Sequence, residues 1–194
     1  MADLSNLPVG VFDSGIGGLT VLRALVERLP AEDFLYLGDT ARLPYGTKTA
    51  ATVERYALQA VAGLVRRGVK AVVVACNTAT AAAIHTLRER WPQHAVVGVE
   101  PGIKPALRAT RNGRIGVMAT PTTLRSEKFQ RLVAAHGEGV HLHLQPCPGL
   151  AAQIEQDRPR DALLAAADRL VDRALDRVVR LRRRHDAFRA GELH

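Results

Sequence analysis

Cysteine is scarce in this chain: Cys76 and Cys147 are its only two, with no CxxC pair and no Cys/His cluster. A disulfide scaffold and a structural metal site both need such sets, so neither is expected. Aromatic residues make up only 4% of the 194 residues, which is thin for a surface that stacks bases. No uncharged apolar run approaches the roughly 18 residues that a membrane span requires. The segment Met1 to Pro8 has no basic patch ahead of an apolar stretch, so no secretory leader is expected. These absences point to a cytoplasmic protein without a membrane partner or a bound metal.

Positive charge is the component in excess. The net charge is +8, and residues 158–194 hold ten arginines against six acidic residues, half of that excess. A basic tail can meet nucleic acid or an anionic surface. No series of aromatic residues interleaves with these arginines and no nucleic-acid motif is visible. A solvated helix face is the plainer reading, and nucleic acid is not an expected partner.

Short apolar runs alternate with longer helical patterns. The expected strands are Pro8 to Phe12, Phe34 to Leu37, Ala71 to Ala75, Ala95 to Val99, Gly113 to Ala119 and Val140 to Leu144. The expected helices are Leu19 to Leu29, Ala50 to Arg67, Thr78 to Arg90, Thr122 to His136 and a short Gly149 to Gln156. A long helix is expected over Asp161 to Arg184, where Asp168, Asp172 and Asp176 can pair with neighbouring arginines. Ala71-Val-Val-Val-Ala75 lacks polar alternation, the mark of a strand covered on both faces. Strand–helix alternation implies parallel strands joined by right-handed crossovers. The expected fold is therefore α/β, with two similar doubly wound lobes, mostly parallel sheets, and an incomplete second lobe. Two prolines and a glycine cluster between Glu100 and Pro105, which divides residues 1–99 from a second lobe of 100–194 ending in a basic helix.

In open α/β sheets, ligands bind beyond the carboxyl ends of the strands. Three segments fall there: Asp13-Ser14-Gly15-Ile16-Gly17-Gly18, then Gly38-Asp39-Thr40 running on to Pro44-Tyr45-Gly46, then Cys76-Asn77-Thr78. The glycine loop fails the dinucleotide fingerprint, since Thr20 holds the third glycine position, and it lacks the Lys-Ser/Thr of a P-loop. A tight connection explains it as well. Asp13 would repel phosphate and suits an ammonium group. Cys76 precedes a helix whose free N–H groups and dipole favour a thiolate, so it is expected to be the more acidic thiol. Asn77 and Thr78 are helix caps and donors to a carboxylate. A cysteine packed at a strand end is the bland alternative. Cys147, between Pro146 and Pro148, reads as structural.

These segments resemble the motifs of glutamate racemases: Val11 to Thr20 the opening motif, Gly38 to Gly46 the second, and Ala75 to Thr80 the first catalytic motif. The resemblance continues through Val99-Glu100-Pro101 and Ala119 to Thr123, fading after Pro146-Cys147-Pro148. It implies a cofactor-free amino-acid racemase that interconverts L- and D-glutamate for peptidoglycan synthesis. By the resemblance, Cys76 exchanges the α-proton on one face and serves the D-enantiomer. Asp13 and Ser14 lie near the substrate amino group and that thiol. Tyr45, Gly46, Asn77 and Thr78 hold substrate carboxylates through hydroxyls and backbone N–H groups, with Thr120 and Thr123 as further candidates on the second lobe. The expected partners are glutamate and, as a homodimer, a second copy of the chain.

The family also carries a second motif, Leu-Gly-Cys-Thr-His-Tyr. Here the corresponding region runs from Asp176 to His185, with an arginine where that thiol would stand. Val178, Val179 and His185 read as remnants in register. A truncated or frameshifted copy is one expectation. A catalytically inactive glutamate-binding protein or fragment is the other.

Overall fold

The computed structural model describes residues 6–137 and 139–155. The expected helix over Asp161 to Arg184, its aspartates, and Val178, Val179 and His185 lie outside the described residues.

Strands β1 (Val9–Asp13), β2 (Phe34–Gly38), β3 (Ala71–Val74) and β4 (Ala95–Gly98) form a parallel sheet in the order β2-β1-β3-β4. The chain steps one way from β1 to β2, then crosses back over β1 to β3 and on to β4. Helices α1 (Leu19–Arg28), α2 (Ala50–Arg66) and α3 (Asn77–Arg90) make these crossings. Right-handed connections put α2 and α3 on one face and α1 on the other, because the α1 step runs in the opposite direction. That winding in both directions is the doubly wound arrangement read from the sequence.

The main core lies under α2 and α3. Val53, Ala57, Val61 and Leu64 recur at helical spacing on α2 and meet Ala79, Ala83, Ile84 and Leu87 of α3 over Phe12, Val72 and Val74 of the sheet. α2 starts at Thr49, whose hydroxyl accepts the Thr52 N–H at 3.2 Å. α1 buries none of its residues fully.

The second lobe comprises α4 (Ile103–Ala109), β5 (Arg114–Ala119), α5 (Pro121–Arg125), α6 (Glu127–His136), β6 (His141–Pro146) and α7 (Leu150–Glu155). β5 and β6 pair in parallel, and Ile115, Val117, Leu142 and Leu144 pack with Ile103, Leu124 and Phe129.

Two departures from the sequence reading have local causes. α4 falls where Pro105 suggested a break, yet that proline occupies the third helical position, where its missing N–H has no intrahelical partner to lose. The single helix expected over Thr122 to His136 is two, separated by Ser126 in an extended conformation (φ −66°, ψ 141°). The Ser126 hydroxyl donates to the Thr123 carbonyl at 2.7 Å and accepts the Phe129 N–H at 3.2 Å, closing one helix and capping the next. No described helix is long and apolar enough to cross a membrane.

Candidate active site

The three segments expected at the strand ends do converge. Asp13 ends β1 and is buried. Its Oδ2 accepts the N–H groups of Gly15 at 3.2 Å and Gly18 at 2.9 Å, so the carboxylate winds the glycine loop around itself. Gly18 is required there, because a Cβ at that position would stand 2.6 Å from the Asp13 Cβ. The loop is the tight connection that the sequence allowed, with its N–H groups facing a carboxylate.

Cys76 lies between β3 and α3 as the cap of that helix, its Sγ accepting the Ala79 N–H at 3.4 Å. Ser14 Oγ stands 3.3 Å from the same sulfur. Burial pushes the Cys76 thiol up, and the charge of Asp13 pushes the same way; the bonds from Ser14 and Ala79 pull it down without reversing the shift. Desolvation at Cys76 thus outweighs the helix N–H groups. Burial raises Cys147 as well, and its Sγ lies 3.4 Å from the Gln145 carbonyl.

After β2, the chain turns through Asp39 and Arg42 into a 3-10 turn, Tyr45–Thr47. The Tyr45 side chain points inward, 1% exposed, and its hydroxyl donates to Asp39 Oδ2 at 2.5 Å. That hydroxyl is committed to Asp39. Gly46 abuts the second lobe so closely that a Cβ there would lie 2.5 Å from Thr120 Cγ2.

Three hydroxyls join the lobes. Thr78 on α3 lies 3.1 Å from Thr120 and 3.4 Å from Thr123, and Thr120 and Thr123 lie 3.0 Å apart. Asn77 and Thr78 share with Thr120 and Thr123 the lining of a cavity of about 440 Å³, walled on the second lobe by Ile103 and β5. Thr120 Oγ1 also accepts the Thr123 N–H at 3.2 Å, and hydroxyl protons that rest on one another can turn to an incoming carboxylate. Among the described residues no group of three or more His, Cys, Asp or Glu could hold a metal ion.

The structure thus brings Asp13, Ser14 and Cys76 together, places Asn77 and Thr78 beside them, and sets Tyr45 and Gly46 on the neighbouring turn. Sequence reasoning left Asp39 out of the site set. Its signal was the Gly38-Asp39-Thr40 turn, a carboxylate at a strand end with Arg42 three residues on.

Most of the chain is similar to known proteins. Residues 9–179 match the family model described as Asp/Glu/Hydantoin racemase. A glutamate racemase of Pseudomonas paraeruginosa is 53% identical over 150 residues, covering 77% of this chain and 57% of that protein. One of Clostridium perfringens is 41% identical over 182 residues, covering 91% and 70%. Among solved structures, the glutamate racemase of Francisella tularensis in complex with D-glutamate superposes with a TM-score of 0.68 at 38% identity, over 79% of this chain and 58% of that one. The Escherichia coli glutamate racemase in complex with L-glutamate and the activator UDP-MurNAc-ala gives 0.73 at 32% identity, over 82% and 65%. The chain spans 57% of the length of the Pseudomonas relative.

Proposed function

The chain belongs to the Asp/Glu/Hydantoin racemase family, and from that premise we propose that it carries a glutamate racemase site, which binds glutamate and exchanges its α-proton at Cys76 without a cofactor. The observation that carries the reading is the set of contacts on Cys76: a strand-end thiol with Ser14 at 3.3 Å, beside the buried Asp13.

Removing an α-proton requires the thiolate, while burial and Asp13 hold the free site as thiol. A substrate ammonium group beside Asp13 offsets that charge and weakens one of the two causes. The carboxylates of glutamate are received by Asn77, Thr78, Thr120 and Thr123 on one side and by the backbone of Tyr45 and Gly46 on the other. The Cys76 thiolate takes the α-proton and becomes a thiol, whose proton exchanges with solvent before it is returned to the same carbon. Racemisation needs a second group on the opposite face. The family resemblance puts it in the region of Asp176 to His185, outside the described residues. D-glutamate for peptidoglycan is the product this reading assigns, made in the cytoplasm by a chain that can pair as a homodimer.

Incubation in deuterated water tests the reading. D-glutamate should gain deuterium at the α-carbon, and Cys76→Ser should abolish the gain. Circular dichroism of the same samples separates exchange with retention, which one thiol achieves alone, from full racemisation. Full racemisation would make His185 the first second-face group to substitute. Binding without labelling would instead favour a glutamate-binding protein, and absence of binding would overturn the site assignment.

A further inference from the structure

We propose that Asp39 is a positioning residue of this site, acting through the Tyr45 phenol to set the turn that holds Gly46 against the second lobe; the inference rests on reading the site as one that binds glutamate. Asp39 is buried, and its backbone N–H donates to the Asp13 carbonyl at 2.9 Å, so it is tied to the strand end that carries the amino-group side of the site. Its carboxylate has two partners, both further along the same segment. Arg42 Nε lies 2.7 Å from Oδ2 and the Tyr45 hydroxyl 2.5 Å from the same oxygen. Arg42 is itself pinned, with its guanidinium 4.4 Å over the Tyr56 ring and a bond to Gln59.

The stretch from Asp39 to Pro44 has no helix or strand to fix its path. Side-chain bonds must do so. The Tyr45 ring sits between Phe12 and Tyr56, with centroids at 6.3 and 5.7 Å. A phenol in that pocket needs an acceptor, and Asp39 is the one it has among the described residues. Burial and the bond to Asp39 hold the phenol protonated, so it remains a donor at neutral pH.

Movement of Tyr45 cannot be absorbed at Gly46. The turn is clasped by Thr122, whose hydroxyl donates to the carbonyls of Gly46 and Lys48 at 3.3 Å each. Thr120, against which Gly46 packs, belongs to the hydroxyl triangle with Thr78 and Thr123 that lines the cavity. Asp39 thus reaches the carboxylate-receiving groups by a continuous path without touching the ligand.

Calorimetric titration of the full chain with D-glutamate tests this, alongside the exchange rate in deuterated water. Asp39→Ala and Tyr45→Phe should each raise the dissociation constant about tenfold or more, as expected for loss of a hydrogen bond to a charged group. Asp39→Asn keeps an acceptor for the phenol and should stay within about threefold of the parent. Exchange at saturating D-glutamate should change less than about threefold in Asp39→Ala and Asp39→Asn, since Cys76 and Ser14 are untouched. A purely structural role would lower the folded fraction and leave the affinity of folded molecules unchanged. Folded Tyr45→Phe with parental affinity overturns the inference, and that variant decides if Asp39→Ala does not fold. Unchanged affinity with a collapsed maximal rate overturns it too. A parent that binds no D-glutamate sinks the site reading and this inference together, whereas a binding parent with unaffected variants sinks the inference alone.

Discussion

The two lobes divide the work of the site unequally. The first has four strands and a core that draws on the sheet, α2 and α3. The second has two described strands and five buried apolar residues in its cluster. Among the described residues, the buried carboxylates Asp13 and Asp39 and the candidate thiol Cys76 belong to the first lobe; the second contributes hydroxyls, Thr120, Thr122 and Thr123. A desolvated charge demands a fixed set of partners, which a well-packed sheet end supplies. Hydroxyls demand less and can turn to whatever is bound. The lobe with the larger core thus holds the groups whose positions matter most.

The sharpest test of that division removes the thiol. Cys76→Ser should lower α-proton exchange by about 10²–10⁴-fold, the usual cost of losing a placed acid or base, while Cys147→Ser should leave it intact; both are read by mass spectrometry in deuterated water. Exchange should also climb as pH rises through the alkaline range, because the raised Cys76 thiol ionises late. The same shift sets a stability trend. Stability tied to the protonated Cys76 is complete below the unfolded thiol value of about 8.5 and is lost as pH rises toward the folded one. Iodoacetamide labelling at graded pH locates that window.

Next in size are the cores. Leu64→Ala should cost about 2–5 kcal/mol and Phe129→Ala about 3–5 kcal/mol, but with different appearances. Trp91, the only tryptophan, packs against the first core and reports it by fluorescence. In Phe129→Ala, far-ultraviolet dichroism should begin to fall at lower denaturant than Trp91 fluorescence, because the smaller core gives way first. In Leu64→Ala the two signals should move together. Coincident curves in both variants would show that the lobes unfold as one unit.

What could be read in advance follows the same division. The parallel alternation, and nearly every strand to within two residues, were legible because unbroken runs such as Ala71 to Ala75 have no alternative to a covered strand. The alternation put Asp13 and Cys76 at strand ends, where the structure has them, whereas the place of Ser14 beside that thiol came from the family resemblance. Tyr45 was placed in the site, but the direction of its hydroxyl depended on Asp39, a contact between two loop residues that no periodicity marks. α4 and the break at Ser126 were hidden because a proline in a first turn and a serine between two helical runs resemble a breaker and a neutral residue. Capping geometry decides both.

A smaller effect is expected where the lobes touch. Gly46→Ala would drive a Cβ into Thr120 Cγ2, and crowding of this kind typically costs about 1–3 kcal/mol. Glutamate affinity should fall along with stability. Adding Thr120→Ser, which removes the offending methyl group and keeps the hydroxyl, should restore most of both. Failure of that rescue, measured by titration and melting, would mean that the clash is relieved elsewhere and that the lobes do not bear on each other at this point.

The smallest expected difference compares one cap in each lobe. Replacing a capping Ser or Thr by Ala costs about 0.5–2 kcal/mol. Thr49 begins α2 by accepting the Thr52 N–H at 3.2 Å, and it lies exposed on the first lobe. Ser126 accepts the Phe129 N–H at the same distance, and it also donates to the Thr123 carbonyl at 2.7 Å. Thr49→Ala loses its capping bond and the one its hydroxyl donates to Thr52 Oγ1 at 2.9 Å, both exposed, so water can replace them. Ser126→Ala also loses two, but both are part-buried, and the Thr123 carbonyl keeps only the Ser126 N–H at 3.1 Å. Ser126→Ala should therefore lie toward the upper end of that range and Thr49→Ala near its middle. Denaturant midpoints measured at constant slope give the comparison. Equal costs would mean that the burial of the Ser126 bonds contributes nothing, and that the break between α5 and α6 is set by the backbone rather than by its hydroxyl.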